Sequence, residues 1–339
     1  VRADLEILAT TASSCIQILD LPAPTGIRWQ GVNFDPHALS VAKFTGTIDN
    51  RWIVASYSGL TRGEDSQQPD YDANVMSNEV QVVEPDNSTV DPIFAFPAGA
   101  EAGLFLHTVL ERLDFVKATS EHLLTVIQNL LPNFGSLSRN LLLEKNDWSR
   151  VAVDMIMNCL HTPLLATTSI FETLRLRDIS WNNRLSELEF HYRISHLTPD
   201  NLSAALAPFP KYHASVAGLE FKPFEGLMHG FVDLIFRHHN RYYIVDYKSN
   251  RLGMNLMDYN QTGMYNAIRS HRYDLQYLIY TLALHRFLQQ RMLGYSYAQH
   301  FGGILYLFLR GMRPDLGADY GVYFDRPQYQ VIENLDTRL

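Results

Sequence analysis

A mixed central sheet flanked by helices, an α/β fold, is predicted for this chain by two patterns. Runs rich in β-branched and aromatic residues at 186–194, 229–237, 241–248 and 302–309 read as strands. Segments 103–117, 120–131, 148–161 and 272–291 repeat apolar residues at helical spacing and supply the covering layers. With 339 residues and 46% hydrophobic content the chain has enough apolar material for a substantial core.

The two middle strands carry the chemistry. Val232–Arg237 and Arg241–Tyr247 are separated by His238-His239-Asn240, where Asn tolerates positive φ, so the pair reads as a hairpin. A two-residue loop at His239-Asn240 sets Ile235 opposite Ile244 and Asp233 opposite Asp246, with Lys248 on the same face two residues on. Strand propensity does not favour such a pair, because carboxylates about 5 Å apart repel by about 3 kcal/mol at an effective dielectric near 20. A divalent cation turns that repulsion into ligation, since hard cations such as Mg²⁺ take carboxylate oxygens and keep waters for substrate. Both strands are apolar on both faces (Phe231, Val232, Leu234, Ile235, Phe236; Tyr243, Ile244, Val245), as central strands are. That counts against a solvated surface hairpin with ordinary cross-strand ion pairs.

The helical segments add polar residues beside apolar stripes. In 103–117, Leu106, Val109, Leu110 and Leu113 form the stripe, and His107 and Glu111 lie one turn apart on a neighbouring face. In 272–291, Leu275, Leu278, Ile279, Leu282 and Ala283 form the stripe, with Gln276 and Tyr280 on its flank. Glu187 and Glu189 alternate along Ser186–Tyr192 and so are expected together on one solvated face.

Together, Gly103-Leu104-Phe105-Leu106-His107, Gly230-Phe231-Val232-Asp233, Asp246-Tyr247-Lys248-Ser249-Asn250 and the helix beginning Tyr273-Asp274-Leu275-Gln276 resemble the PD-(D/E)xK nuclease superfamily. Within it they resemble the branch found in RecBCD-type helicase-nucleases, over roughly residues 98 to 339. The resemblance implies a restriction-endonuclease-like sheet and metal-dependent hydrolysis of single-stranded DNA, in double-strand-break repair and the degradation of linear DNA. It implies catalytic roles for Asp233, Asp246 and Lys248, and metal ligation by His107, Asp233, Asp246 and the backbone carbonyl of Tyr247. Mg²⁺ is the implied cofactor, with Mn²⁺ admissible because imidazole is an unusual Mg²⁺ ligand. Gln276, Tyr280, Glu111 and Arg251 are implied as supporting or DNA-contacting residues, and Glu187 and Glu189 resemble the acidic strand of the family. The implied partners are DNA, RecC-like and RecD-like subunits and a RecA-type recombinase, in the bacterial cytoplasm.

Charge is divided unevenly. Residues 1–100 hold 13 acidic and 5 basic side chains, whereas residues 101–339 hold 23 of each, so the net charge of −8 arises entirely outside the nuclease-like part. The expected organisation is a C-terminal helicase remnant at 1–62, whose Trp52–Ser58 reads as a strand, an acidic flexible linker at 63–97, and a nuclease domain at 98–339. The missing initiator Met fits a fragment of a larger helicase-nuclease. No Gly-x-x-x-x-Gly-Lys-[Ser/Thr] loop is present, so no ATP site is expected here. Two cysteines, Cys15 and Cys159, are too few for an iron-sulfur cluster, and no apolar run reaches the length of a membrane span. Arg237, Arg241, Lys248, Arg251, Arg269 and Arg272, interleaved with Tyr242, Tyr247, Tyr259, Tyr265 and Tyr273, are expected to track a single strand. Two other readings stand beside this one: a noncatalytic DNA-binding or recombinase-docking module on the same fold, and a stand-alone PD-(D/E)xK exonuclease.

Overall fold

Six strands form one mixed sheet in a computed structural model that describes residues 2–11, 16–21, 52–62, 91–135, 147–165 and 173–339, with 23, 24, 26, 45, 46, 137 and 138. The described strands are β1 (Trp52–Ala55), β2 (Arg184–Leu197), β3 (Phe224–His238), β4 (Arg241–Lys248), β5 (Phe301–Phe308) and β6 (Val322–Asp325). The hairpin forms in the predicted register: Leu234 pairs with Val245 and Ile235 with Ile244, and positive φ at His239 (45°) and Asn240 (60°) closes a two-residue turn. Antiparallel β2 occupies one edge of β3, while parallel β1 and antiparallel β4 share the other edge in succession. Beyond β4 lie parallel β5 and then antiparallel β6.

The chain divides into two compact units, 1–48 and 49–339. In the first, helix α1 (Arg2–Thr11) begins at Arg2, whose guanidinium reaches Glu6 at 3.2 Å and Asp20 at 3.0 Å. Of the strand expected at Trp52–Ser58, Trp52–Ala55 forms and joins the sheet of the larger unit, while Tyr57 and Ser58 open a helix instead. Gly226, at φ 137°, permits that approach, since a Cβ there would fall 2.0 Å from the Ile53 carbonyl oxygen. Tyr57 and Leu60 of α2 (Tyr57–Arg62) are buried in the same core. Of the acidic linker expected at 63–97, residues 63–90 lie outside the described residues, and α3 (Pro92–Ala95) is packed, with Ile93, Phe94 and Ala95 buried.

Helices cover both faces. One is covered by α4 (Ala100–Arg112), α5 (Ser120–Leu130) and α6 (Trp148–His161), where Phe105, Leu106, Ile127 and Ile156 meet Leu234, Phe236 and Val245. The other is covered by α7 (Pro199–Leu206), α8 (Pro210–Val216), α9 (Gln261–Ser270), α10 (Tyr273–Arg291) and α12 (Tyr329–Arg338), with the short α11 (Tyr297–His300) leading into β5. Helix α4 stops at Arg112, short of the predicted 117, because Leu113 is extended and the Asp114 carboxylate accepts the Val116 N–H in a tight turn. Helix α10 departs from its predicted amphipathic pattern: every residue from Tyr273 to His285 is buried, because α10 runs between the sheet and outer helices α8 and α12. Among the described residues no helix is long and apolar enough to cross a membrane.

Two buried guanidinium groups hold α4 in place. Arg310, fully buried, donates to the carbonyls of Ser249 (2.8 Å), Ile93 (3.1 Å), Phe96 (2.7 Å) and Pro97 (2.7 Å), fastening the segment that enters α4 to the end of β4. Arg184 donates to the Leu113 carbonyl just past α4, and its guanidinium lies 3.6 Å from the Phe115 ring centroid and 3.9 Å from that of Trp181. Arg310→Leu strips several buried carbonyls of their donor, and each costs about 1–3 kcal/mol. The variant should therefore lose about 3 kcal/mol or more in denaturant unfolding followed by circular dichroism; a loss under about 1 kcal/mol would show that water or rearrangement replaces the clamp.

Candidate active site

Three carboxylates stand in one row across three adjacent strands. The β2–β3 ladder passes from Ser186↔Leu234 to Leu188↔Val232, which places Glu187 level with Asp233, and the β3–β4 ladder ends at Leu234↔Val245, one step short of Asp233 and Asp246. Asp233 is thus skipped by the backbone ladders on both sides. Its carboxylate replaces one missing contact by accepting the Tyr247 N–H at 2.7 Å. Glu187 has φ 50°, a left-handed conformation that a non-glycine residue adopts at a cost. That kink breaks the alternation on which a shared solvated face for Glu187 and Glu189 rested. Glu189 is exposed, but Glu187 is half-buried and lies with His107 and Asp233, all three ligand atoms within 4.8 Å of one another.

His107 arrives from α4 on the far face of the hairpin. Its Nε2 lies 3.0 Å from the Tyr247 carbonyl oxygen and its Nδ1 3.5 Å from Asp233 Oδ2. A carbonyl only accepts, so Nε2–H donates to it. One cation can take only one nitrogen of a ring, and with Nε2–H on the Tyr247 carbonyl that nitrogen is Nδ1, the one beside Asp233. Of the expected ligands, the Tyr247 carbonyl accepts from His107 Nε2–H and Asp246 pairs with Lys248, so the groups that converge to fit a divalent cation are His107, Glu187 and Asp233. Their mixture of one imidazole with hard oxygens suits Mn²⁺ as well as Mg²⁺.

Asp246 and Lys248 are the deepest members, 3% and 2% exposed, with Lys248 Nζ 2.8 Å from Asp246 Oδ2. The ammonium faces the Tyr273 ring at 3.9 Å and the Tyr306 ring at 5.3 Å. Gln276 Oε1 accepts from Tyr306 Oη at 2.7 Å and lies 3.5 Å from Lys248 Nζ, while its Nε2 donates to Tyr280 Oη at 3.0 Å. Gln276 and Tyr280 are therefore buried props of the lysine rather than a helix flank. Glu111 is exposed, near enough for its charge to act on Glu187. Arg251 points elsewhere and donates to the carbonyls of Phe94 (3.1 Å) and Phe96 (2.9 Å).

The other arginines expected along a strand path also have partners within the protein, although Arg237 itself is exposed. Arg269 pairs with Asp274 and donates to Lys211 O, Arg272 donates to Ser215 O (2.7 Å) and Ala217 O (2.9 Å), and Arg237 reaches Asn183 Oδ1 (3.2 Å). Tyr247, Tyr259 and Tyr273 are buried, and of the five interleaved tyrosines only Tyr265 is exposed. Local composition therefore does not mark a nucleic-acid path here. A more open feature is a groove of about 620 Å³ between β2 and α10, lined in part by Phe190, Tyr192, Tyr280, Arg286 and Phe287.

Electrostatics follow from this burial. Desolvation, opposed by Lys248 and reinforced by Asp233, pushes the Asp246 carboxyl up to about 7. Desolvation, with Asp233 adding to it, pushes Glu187 up to about 7 as well. Asp233 goes the other way: burial raises it, but His107, the Tyr247 N–H and Lys248 together hold it below the usual carboxylate range.

A mixed sheet with helices on both faces and an Asp…Asp-x-Lys core on its central hairpin is a PD-(D/E)xK-like, restriction-endonuclease-like fold. No family model matches the chain. Among curated proteins it is 36% identical over 313 residues to the RecBCD enzyme subunit RecB of Escherichia coli K12, covering 91% of this chain and 25% of that subunit. It is 30% identical over 339 residues to the same subunit of Haemophilus influenzae, covering 95% of this chain and 26% of the relative. The chain belongs to the RecB family, matching one region of these subunits, and spans about a quarter of the length of the relatives it matches.

The raised carboxyls have a measurable consequence. Each binds its proton more tightly folded than unfolded, so the stabilisation is complete below the unfolded values near 4 and is lost as pH rises through about 7. Asp233, being lowered, acts with the opposite sign and only at more acid pH. The Tm in EDTA should fall between about pH 4.5 and 7.5, and Asp246→Asn should flatten that slope. An unchanged slope in Asp246→Asn would place the titration elsewhere.

Proposed function

We propose that residues 98–339 form a divalent-metal-dependent nuclease that hydrolyses phosphodiester bonds of single-stranded DNA. The observation that carries this reading is the row of Glu187, Asp233 and Asp246, met by His107 from one face and by Lys248 within the sheet. Such a set is costly to bury without a cation and an anionic substrate to complete it. When bound, Mg²⁺ or Mn²⁺ supplies Lewis-acid stabilisation of the phosphate and acidifies water. His107, Glu187 and Asp233 would hold it, and Asp246 and the Tyr247 carbonyl would join them on release from Lys248 and from His107 Nε2–H.

The remaining work falls to the chain's own groups. Lys248 Nζ lies beside Asp246 and offers N–H donors to charge developing on the phosphate oxygens. Its direction is set by Gln276 Oε1, which Tyr306 and Tyr280 in turn orient, so the ammonium is pre-aimed when substrate arrives. The surrounding apolar strands exclude water and strengthen each of these contacts.

On this reading the chain is the nuclease-bearing part of a RecBCD-type enzyme. Residues 1–62 come from the end of its motor region, residues 63–97 form an acidic linker, RecC-like and RecD-like subunits are its partners, linear duplex ends are its entry points, and a RecA-type recombinase is a further partner.

The test is cleavage of labelled single-stranded DNA by the purified chain with Mg²⁺. Asp246→Ala and Lys248→Ala should each reduce the rate by about 100-fold or more, the order seen when a charge-stabilising group is removed. Gln276→Ala should reduce kcat more than KM, and EDTA should abolish cutting. If Asp246→Ala and Lys248→Ala both cut at the wild-type rate, the proposal fails. DNA held equally well in EDTA and never shortened would instead indicate a binding module.

A further inference from the structure

A second ligand cluster lies on β2 and β3, away from the buried row. His191 and His229 face each other directly across the two strands, their rings stacked at 4.4 Å and 20°. Both Nε2 atoms turn toward one oxygen: Glu189 Oε1 lies 3.1 Å from His229 Nε2 and 4.0 Å from His191 Nε2. Glu189 and His191 are exposed and line the rim of the groove beside α10, and His229 is half-buried. Phe231, opposite Glu189 in the ladder, packs edge-on against the His229 ring at 5.1 Å.

This geometry differs from a chance surface cluster in two respects. The residues come from consecutive positions of one face of a paired ladder, so the backbone fixes their spacing rather than flexible loops. The donor atoms also converge on one point, all within 4.8 Å of one another. Ligands of a tetrahedral ion with bonds of about 2.0–2.1 Å sit about 3.3 Å apart, and the observed 3.1 and 4.0 Å straddle that value. Two imidazoles and one carboxylate select a borderline ion of the Zn²⁺ class and are poorly suited to Mg²⁺.

We propose that Glu189, His191 and His229 bind a Zn²⁺-class transition-metal ion at a site separate from the buried carboxylate row. Three protein ligands leave a fourth position open to solvent or to a group lying in the adjacent groove. The ion cross-links β2 to β3 two residues from Glu187, so its binding stiffens the strand pair that carries two acids of the buried row. The site does not depend on the nuclease reading, because none of its three ligands belongs to that row.

Co²⁺ titration of the full chain with excess Mg²⁺ present, read by the visible absorption of tetrahedral Co²⁺, tests the assignment. The wild-type chain should show one such equivalent, displaced by Zn²⁺. His191→Ala and His229→Ala should each lose it, His107→Ala should keep it, and Mg²⁺-dependent cleavage by His191→Ala should be unchanged. Zn²⁺ should raise the Tm of the wild-type chain and not that of His191→Gln, a conservative variant that guards against loss of folding. The proposal is overturned if the Co²⁺ equivalent survives in both His191→Ala and His229→Ala, or if it disappears only in His107→Ala.

Discussion

Mutual repulsion among Glu187, Asp233 and Asp246, level with one another on three adjacent strands, is the constraint around which this fold is arranged. Neighbouring strands lie about 4.8 Å apart, and in surroundings this dry like charges at that distance are costly. The protein responds in several ways at once. The ladders skip Asp233 on both sides, Glu187 takes a left-handed φ, Asp233 accepts the Tyr247 N–H, and Lys248 lies against Asp246. Burial above all, with the Asp233 charge adding to it, pushes the Glu187 and Asp246 carboxyls up to about 7. A cation relieves the same strain, and that links the energetics of the fold to the proposed chemistry.

The surrounding framework keeps the row from relaxing. Arg310 ties the 93–97 segment to the end of β4 through backbone carbonyls, and Arg184 fixes the far end of α4, so His107 is held from both sides. On the opposite face α10 is buried from Tyr273 to His285, and Gln276, Tyr280 and Tyr306 lock the lysine. A site on paired strands and clamped helices holds its geometry more tightly than one on loops. The same logic applies to the His191–His229 pair, whose separation is a property of the ladder.

The hairpin and its register were legible because they rest on local rules: a two-residue turn with Asn, period-two alternation, and side chains that must share a face. His107 was legible only through the family resemblance, since a histidine on an apolar helix carries no signal of its own. Glu187 was misread because nothing in Ser186-Glu187-Leu188-Glu189 announces a left-handed φ at a non-glycine residue; the acidic-strand resemblance was the one available hint. The arginines misled for a related reason. Composition counts charges but not the carbonyls that take them up, and Arg251, Arg269 and Arg272 all donate to backbone oxygens. Strand β1 joins the larger sheet through a partner far along the chain, and that pairing leaves no periodic trace at Trp52–Ala55.

The three-strand acidic row is proposed to be a cation site. Crystals of the chain grown with Mn²⁺ and measured for anomalous scattering test it most directly. A peak is expected at bonding distance, about 2.1–2.3 Å, from Asp233 and Asp246 carboxylate oxygens, with His107 nitrogen or the Tyr247 carbonyl also in its shell. Mn²⁺ bound elsewhere, with Asp246 still paired to Lys248 and no peak in the row, would contradict it.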